Sequence, residues 1–280
     1  MYQSSWAGNE PADHNPSHAG ARGRVGNRPM NGFDPARAVD TLLEARRTRR
    51  WLEVLPEGAR PASEAEAYAI QDLAARELGA IAGWKVGSAT ADSEPFRAPI
   101  HAGTLFEGGH VPARILHLIG IEAELVYRFG HDLPPRAAPY TRDEVLAAVA
   151  TMHPAIEIVD TRFVSLAAAD ALSQRADQQN HGALALGPPW AASSRIDPPT
   201  QPVRLSIDGH VVHEGIGGNS AVDPVRLLVW MADHGARSLG GLRAGQAVTT
   251  GSCSGTIFVV AGVQVRAEFP ELGTIDIAID

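Results

Sequence analysis

The sequence lacks several features that mark whole classes of protein. Its 280 residues contain one cysteine, Cys253, so no disulfide can form within the chain, which fits a reducing cytosol. The formal net charge is −8, whereas nucleic-acid-binding proteins are usually basic. No apolar run approaches the length that spans a bilayer, and the N-terminus lacks the apolar core of a secretory signal. We therefore expect a cytoplasmic protein that binds neither nucleic acid nor membrane.

Common catalytic signatures are also absent or stand in the wrong context. The chain has no Walker or Rossmann glycine fingerprint, and H-E-x-x-H and C-x-x-C are missing, so we do not expect a zinc site. GSCSG (251–255) fits a nucleophile elbow around Cys253, but the strand-like TIFVVAG follows where that motif needs a helix. We interpret the segment as a loop whose backbone N–H groups meet an anionic ligand. A cysteine or serine hydrolase built on Cys253 is the least favoured alternative.

The first 34 residues differ in composition from the rest of the chain. Residues 1–34 are rich in Gly, Asn, Pro and Ser without a hydrophobic period, which predicts a disordered extension. Apolar residues at helical spacing follow, and Asp34 and Pro35 suit the start of a helix. A second helix is predicted where Ser63 and Glu66 form an S-x-x-E capping box.

Short β-like runs dominate the remainder of the chain. The most regular are IAGWKVG, IEAELVYRFG, AIEIVD, GALALG, VQVRAEFP and GTIDIAI, and SIDGHVVHEG predicts a hairpin that turns at Asp208 and Gly209. Further helices are predicted at TRDEVLAAVA and DPVRLLVWMADHG. The pattern predicts an α+β fold, with a small helical or mixed N-terminal lobe over 35–108 and a β-rich C-terminal catalytic domain over 109–280.

Carboxylates inside two predicted strands are the first indication of a site. Glu122 and Glu124 lie two residues apart in IEAELVYRFG, so they point to the same face of a strand and repel each other. Glu157 lies between isoleucines in AIEIVD, where a carboxylate is costly to bury unless it is paired or metal-bound. Three carboxylates suit Mg²⁺ or Mn²⁺. The structural alternatives are a hydrated sheet face for the first two and a core ion pair for the third.

Lys85 is the second unusual charge. GWKVG places it between Trp84 and Val86, where it either extends from a strand edge into solvent or lies near the metal. Beside a metal it could bind an oxyanion or transfer a proton. The scattered histidines include three that could approach a pocket, although each alone is more often structural: His101, His153 and His181.

Taken in order, these segments resemble the fumarylacetoacetate hydrolase superfamily. The nearer branch is that of the 2-keto-4-pentenoate (2-hydroxypenta-2,4-dienoate) hydratases and 4-oxalocrotonate decarboxylases. The resemblance runs from about residue 36 to the C-terminus. Its matching segments are AYAIQD, GWKVG, IEAELVYRFGHDL, HPAIEIVDTRF, GALALG, LLVWMADHG, LRAGQAVTTGS and FPELGTIDIAI.

The resemblance implies a site, an architecture and an assembly. It implies that Lys85 is a catalytic residue beside the substrate and that Mg²⁺ or Mn²⁺ is held by Glu122, Glu124 and Glu157. It implies a C-terminal mixed β-sheet roll and a homo-oligomer, alone or together with a related pathway enzyme. It also implies further contacts with the substrate from four residues: Asp177, Thr250, Gly251 and Ser252.

Three positions depart from the hydratase pattern. Gln178 stands where A-D-N-A-S has its asparagine, RAPIHAGTL lacks the acid of a P-D-F-G-like turn, and Gly120 and Ile121 replace a frequent arginine. The predicted activity is addition of water to a 2-hydroxy-2,4-dienoate in aromatic-compound breakdown. The alternatives are a decarboxylase, a diketo-acid hydrolase of the acylpyruvase kind and a non-catalytic partner subunit, which the missing acid motivates.

Overall fold

Five helices begin at side chains that cap their first turn. The computed structural model describes residues 32–191 and 197–280, so nearly all of the predicted 1–34 extension lies outside the described residues. Each N-terminal cap is an Asp, Ser or Thr whose side chain accepts a backbone N–H of the first turn. The helices are α1 (Pro35–Thr48), α2 (Glu64–Glu77), α3 (Arg142–Ala148), α4 (Ala171–Ala176) and α5 (Pro224–Trp230).

The structure modifies the helix predictions in detail. Ser63 caps α2, but the Glu66 carboxylate accepts from the N–H of Ala62 at 2.7 Å rather than from Ser63, so the predicted capping box is incomplete. A complete box forms at Thr141 and Glu144. Helix α4 was not predicted, since six residues are too few for a clear period. None of the described helices has the length and apolar character that crossing a membrane requires.

Fourteen strands in the described residues form two sheets. They are β1 (Ile81–Gly87), β2 (Phe96–His101), β3 (Leu105–Phe106), β4 (Gly109–Val111), β5 (Gly120–Phe129), β6 (Val149–Val159), β7 (His181–Leu186), β8 (Trp190–Ala191), β9 (Pro202–Ile207), β10 (His210–Ile216), β11 (Ala247–Ser252), β12 (Ile257–Phe258), β13 (Val263–Phe269) and β14 (Gly273–Ile279). The predicted hairpin is confirmed: β9 and β10 pair antiparallel around Asp208 and Gly209, both with positive φ.

The larger sheet is mixed and runs through both predicted lobes. Its order is β2-β1-β11-β5-β6-β7-β3, with β12 on β5 and β8 on β6. The smaller sheet has the order β10-β9-β13-β14-β4. Most neighbours are antiparallel, but β1 pairs with β11, β3 with β7 and β4 with β14 in parallel. Mixed sheets with few helices confirm the predicted fold class, while the division between residues 108 and 109 stays a prediction.

Strand alternation separates the core from the site. On β5, Ala123 and Leu125 join the main hydrophobic core, and so do Ile156 and Ile158 on β6. Both β13 and β14 contact β6, so this core lies between the two sheets. The intervening residues point to the opposite face because successive strand side chains alternate. That opposite face of β5 and β6 carries the glutamates. A separate apolar cluster ties α1, α2 and α4 together.

Candidate metal centre

The pairing of β5 with β6 brings the three predicted ligands together. Glu122 lies directly opposite Glu157 in the antiparallel register, and Glu124 is two residues along on the same face. One carboxylate oxygen from each lies within 4.8 Å of the others. Glu124 and Glu157 are each 1% exposed, whereas Glu122 is partly exposed, so a hydrated sheet face does not describe Glu124.

Neighbouring strands hold each carboxylate in place. Glu124 accepts hydrogen bonds from the Thr249 hydroxyl and, at 3.1 Å, from the backbone N–H of Gly251. Gly251 has a φ of +100°, a backbone conformation that other residues rarely adopt, and it lies where the pairing of β11 with β5 is irregular. Glu122 accepts from the Thr256 hydroxyl. These donors fix the orientation of both side chains while leaving oxygens for a cation.

Lys85 joins the cluster from the parallel strand β1. Its Cα is paired with that of Thr249, and its Nζ lies 2.6 Å from a carboxylate oxygen of Glu157. The Lys85 side chain is 12% exposed, so it does not extend into solvent. It is also the only lysine in the chain, a feature of the sequence that would have singled it out earlier.

The electrostatics of the cluster separate the three acids. Burial and the charge of Glu157 raise the pKa of Glu122, and burial with both other glutamates raises that of Glu124 well above its ordinary value. Burial also tends to raise the pKa of Glu157. The charge of Lys85 and the hydrogen bond from His181 outweigh burial, and the pKa of Glu157 falls to about 2. Burial lowers the pKa of Lys85, yet the three glutamates outweigh that effect and the net shift is upward.

A cavity of about 420 Å³ opens over the cluster. Lys85 and the three glutamates line it together with apolar side chains and neutral polar groups. The apolar lining side chains are Val86, Phe96, Val159 and Leu166. The neutral polar lining residues are Ser88, Gln179, Asn180, Ser220, Ser252 and Thr256. A small acid with a short carbon chain matches this mixture of charge and apolar wall.

The other predicted site residues divide into two groups. Gly251 and Ser252 line the cavity. Asp177 does not: it is buried against Arg162, whose backbone N–H and Nε donate to it at 2.8 and 2.5 Å. Thr250 is buried too, and its hydroxyl donates to the carbonyl of Leu125 at 3.2 Å. Contacts from Asp177 and Thr250 to a substrate stay predictions, since neither side chain reaches the described cavity lining.

Cys253 has the surroundings of a structural thiol. It is buried, and burial together with the charge of Glu124 raises the pKa of its thiol to about 12, so it is neutral at physiological pH. Strand β12 follows the GSCSG segment, with no helix after Gly255. This arrangement agrees with the expectation that the nucleophile-elbow motif is out of context here.

Two features of the site could not be predicted, because no strong local sequence pattern marks them. His181 donates from Nδ1 to Glu157 at 3.2 Å, and burial lowers the pKa of His181 to about 4, so the ring is neutral. Gln178, Gln179 and Asn180 form a turn with three successive positive φ values of 51°, 51° and 57°. We call this segment the left-handed turn. A backbone of this kind is strained for most residues other than glycine. The only sign of the turn in the sequence was Gln178, which stands where the hydratase pattern has an asparagine.

The donor set fits a hard divalent cation. Three carboxylates supply only oxygen ligands, which Mg²⁺ and Mn²⁺ prefer. The raised pKa values of Glu122 and Glu124 show that their negative charges are not fully compensated by the protein. A cation bound between them would supply that compensation.

Comparisons with known proteins show what this chain is similar to. The 2-keto-4-pentenoate hydratase of Paraburkholderia xenovorans (strain LB400) is 27% identical over 224 residues, covering 75% of this chain and 81% of the relative. A 4-oxalocrotonate decarboxylase of Pseudomonas sp is 27% identical over 173 residues, covering 60% and 64%. The solved 4-oxalocrotonate decarboxylase from Pseudomonas putida G7, complexed with magnesium and adipate, has the same fold, with a TM-score of 0.74 at 21% identity, covering 88% of this chain and 97% of that one.

A family model extends the comparison to most of the chain. The model for the C-terminal domain of fumarylacetoacetate (FAA) hydrolase matches residues 85–279, from Lys85 to the end of β14. The matched range includes the three glutamates and the two strands that carry them. Because it makes up well over half of the sequence, the chain belongs to the fumarylacetoacetate hydrolase family, a family of enzymes.

Proposed function

We propose that this chain is a metal-dependent hydratase that adds water to a 2-hydroxy-2,4-dienoate of the 2-keto-4-pentenoate type. The observation that carries the proposal is the convergence of three carboxylates and one lysine on a cavity whose other described walls are apolar or neutral. The similarity to 2-keto-4-pentenoate hydratases supports the same class of reaction.

The glutamates and the apolar walls have separate tasks in this proposal. Glu122, Glu124 and Glu157 would hold Mg²⁺ or Mn²⁺. When bound, such an ion supplies positive charge for the substrate's carboxylate and 2-oxygen and stabilises negative charge on that oxygen. Phe96 and Leu166 would contact the carbon chain and exclude bulk water from it.

Lys85 would act as the proton carrier. Its Nζ lies 2.6 Å from the Glu157 carboxylate, an ion pair that favours the ammonium form, so it starts as a donor rather than as a base. Nζ gives a proton to the terminal carbon and the 2-hydroxyl proton replaces it on Nζ, which converts the dienol into a 2-oxo-3-enoate. Water then adds its oxygen at carbon 4 and a proton reaches carbon 3, giving a 4-hydroxy-2-oxo acid.

The cavity lining favours a hydratase over a carbon–carbon hydrolase. A hydrolase acting on a diketo acid needs a base that activates water. Among the described lining residues, no histidine is present and the only carboxylates are the three glutamates. His181 lies beside Glu157 but does not line the cavity.

A decarboxylase is the second candidate, because one relative carries the name 4-oxalocrotonate decarboxylase. Its substrate has a carboxylate at each end, and the second one would need its own cationic partner. Within the described part of the lining, Lys85 is the only cation and it already pairs with Glu157. This distribution of charge favours a substrate with a single carboxylate.

An ultraviolet assay tests the proposal. Loss of 2-hydroxypenta-2,4-dienoate absorbance should require Mg²⁺ or Mn²⁺ and yield 4-hydroxy-2-oxopentanoate. Lys85→Met should lower kcat by about 10²–10⁴-fold, the range of general acid–base catalysis, while Mg²⁺ still binds. Arg266→Met, at an exposed ion pair with Asp276, serves as the matched control.

Other outcomes of the assay would separate the alternatives. Release of CO₂ from 4-oxalocrotonate, with no hydration, would favour the decarboxylase. Metal binding without turnover of any 2-oxo acid would favour a non-catalytic partner subunit. The cytoplasmic location and the homo-oligomer stay predictions, and light scattering of the purified chain tests the latter.

A further inference from the structure

A second cavity, of about 390 Å³, is lined by arginines, and we call it the arginine cavity. The charge of its lining is opposite to that of the cavity lined by Lys85 and the three glutamates, which we call the metal cavity. Among the described lining residues, five are arginines and one is a carboxylate, Asp160. The five are Arg46, Arg47, Arg49, Arg114 and Arg162.

Only two of these arginines have a close carboxylate partner among the described residues. Arg162 is paired with Asp177, and Arg47 with Glu44. One oxygen of the Asp160 carboxylate accepts backbone N–H groups, at 3.2 Å from His117 and 2.7 Å from Leu118, and the other lies 3.8 Å from Arg162. Three arginines of the lining therefore have no salt bridge among the described residues, and we call their charges uncompensated: Arg46, Arg49 and Arg114.

The structure holds two of the uncompensated guanidinium groups in place. Arg46 donates to the side-chain oxygen of Gln178 at 2.8 Å. Burial, followed by the charge of Arg162, lowers the pKa of Arg46 to about 10, which shows that its positive charge is poorly stabilised by its surroundings. Arg49 donates to the carbonyls of Arg114 and Leu116 at 2.7 and 2.9 Å. A bound anion would stabilise these charges without moving the arginines.

His101 adds a buried acceptor to the same lining. Its side chain belongs to a residue only 4% exposed, and Nδ1 lies 3.0 Å from the carbonyl of Gly79. A carbonyl only accepts, so Nδ1 carries the proton and Nε2 is an acceptor in the neutral ring. Nε2 is buried without a hydrogen-bond partner among the described residues. It would be satisfied by a hydroxyl donor on a ligand.

Apolar surface completes the arginine cavity. Trp51, Leu78 and Ile115 line it. The Trp51 ring stacks on His117 with centroids 4.1 Å apart, and the Arg49 guanidinium lies 5.9 Å from the ring centroid. The indole is thus held in one orientation before any ligand arrives, which lowers the entropic cost of binding.

We propose that the arginine cavity binds a small hydroxycarboxylic acid with an apolar body, at a site separate from the metal centre. The carboxylate would bind Arg46 and Arg114, the hydroxyl would donate to Nε2 of His101, and the apolar body would pack on Trp51. This proposal does not depend on the reaction catalysed at the metal cavity, because it rests on residues that do not line it.

Isothermal titration of the full chain with racemic mandelate, with and without Mg²⁺, tests the proposal, and the arginine cavity should bind mandelate in both. Mandelate combines a carboxylate, a hydroxyl and an apolar ring. Arg114 is exposed and makes no side-chain hydrogen bond among the described residues, so Arg114→Glu should fold normally and bind mandelate at least about tenfold more weakly. Arg50→Glu is the control, since Arg50 is also exposed and does not line the cavity.

Two further probes examine the ligand class. Phenylacetate differs from mandelate by one hydroxyl and should bind more weakly, because Nε2 of His101 would stay unpaired. Inorganic phosphate carries charge without an apolar body and should also bind more weakly. Equal mandelate affinity in wild type and Arg114→Glu, or no saturable heat with any probe, would overturn the site. Phosphate or phenylacetate binding as tightly as mandelate would overturn the ligand class.

Discussion

The metal cavity and the arginine cavity are built from opposite charges within one fold. Three glutamates and one lysine line the first, and five arginines and one aspartate line the second. The left-handed turn contributes to both cavities: Gln178 lines the arginine cavity, and Gln179 and Asn180 line the metal cavity. The two volumes are nearly equal, but the first lining is acidic and the second is basic, so we expect the charge of the lining rather than the cavity size to select the ligand.

A hydrogen-bonded chain also joins the two cavities. Thr104 lines the arginine cavity, and its hydroxyl lies 3.0 Å from Nε2 of His181. Nδ1 of the same ring lies 3.2 Å from Glu157. The same hydroxyl lies 3.1 Å from the carbonyl of His101, so its one proton is shared between that carbonyl and Nε2. Thr104 and His181 therefore connect the lining of the arginine cavity to one carboxylate of the metal cavity.

Removing Asp177 should have the largest effect, because it leaves the buried Arg162 beside the arginine cavity with only the more distant carboxylate of Asp160, 3.8 Å away. We expect Asp177→Ala to lower the free energy of unfolding by about 3–5 kcal/mol, the usual effect of breaking a buried ion pair. Urea denaturation measures it. Asp276→Ala, at an exposed pair with Arg266, should change stability by less than about 1 kcal/mol. Similar losses in the two variants would contradict the buried pairing.

Glu124→Gln should remove one of the three carboxylates of the metal cavity without changing the size of the side chain. We expect Mg²⁺ affinity to fall at least about a hundredfold, since even substitutions outside the ligand set cost 10–100-fold. Titration calorimetry measures the affinity, and circular dichroism checks the fold. Glu107→Gln, an exposed acid outside the cluster, is the control. Unchanged Mg²⁺ affinity in Glu124→Gln would exclude the three-carboxylate site.

Changing the pH should titrate the Glu124 carboxyl in the same cavity and so change Mg²⁺ affinity. Burial and the two neighbouring glutamates raise the pKa of Glu124 in the metal-free fold, so this carboxyl holds its proton to a higher pH than an ordinary glutamate, and Mg²⁺ competes with that proton. Mg²⁺ affinity should therefore rise with pH, by up to about tenfold per pH unit for one proton. The folded protein holds this proton more tightly than the unfolded chain does. The free energy of unfolding of the metal-free protein should therefore fall as the pH rises above 4.5 and through the raised pKa. Thermal melts over a range of pH, with EDTA or with Mg²⁺, test both trends. A Mg²⁺ affinity that does not change with pH would contradict the prediction.

Thr104→Val should give the smallest effect, because it cuts the chain between the two cavities while leaving both charged linings in place. Loss of one buried hydrogen bond to His181 is worth about 1 kcal/mol, or roughly fivefold in Mg²⁺ affinity. Thr200→Val is the control, since that hydroxyl bonds only within its own turn. Equal Mg²⁺ affinities in the two variants would show that Thr104 does not support Glu157.

The strands and the three carboxylates that meet between them were predictable because they follow from local pattern. Alternation in IEAELVYRFG placed Glu122 and Glu124 on one face, and flanking isoleucines marked Glu157 as a carboxylate in an apolar strand. The capping of α2 by Ser63 was predictable for the same reason. Helix α4 and the left-handed turn were not, because six residues show no clear period and the turn uses φ values that its residues rarely adopt.

The sequence by itself determined the chemistry available to this protein: three strand carboxylates, one lysine and an excess of arginine over lysine. Only the tertiary structure decided which of these groups meet. The antiparallel register sets Glu122 against Glu157, and parallel pairing of β1 with β11 brings Lys85 to them. The arginine cavity joins residues far apart in sequence, such as Arg46 and Gln178. Such contacts depend on strand register and packing, which no local period encodes.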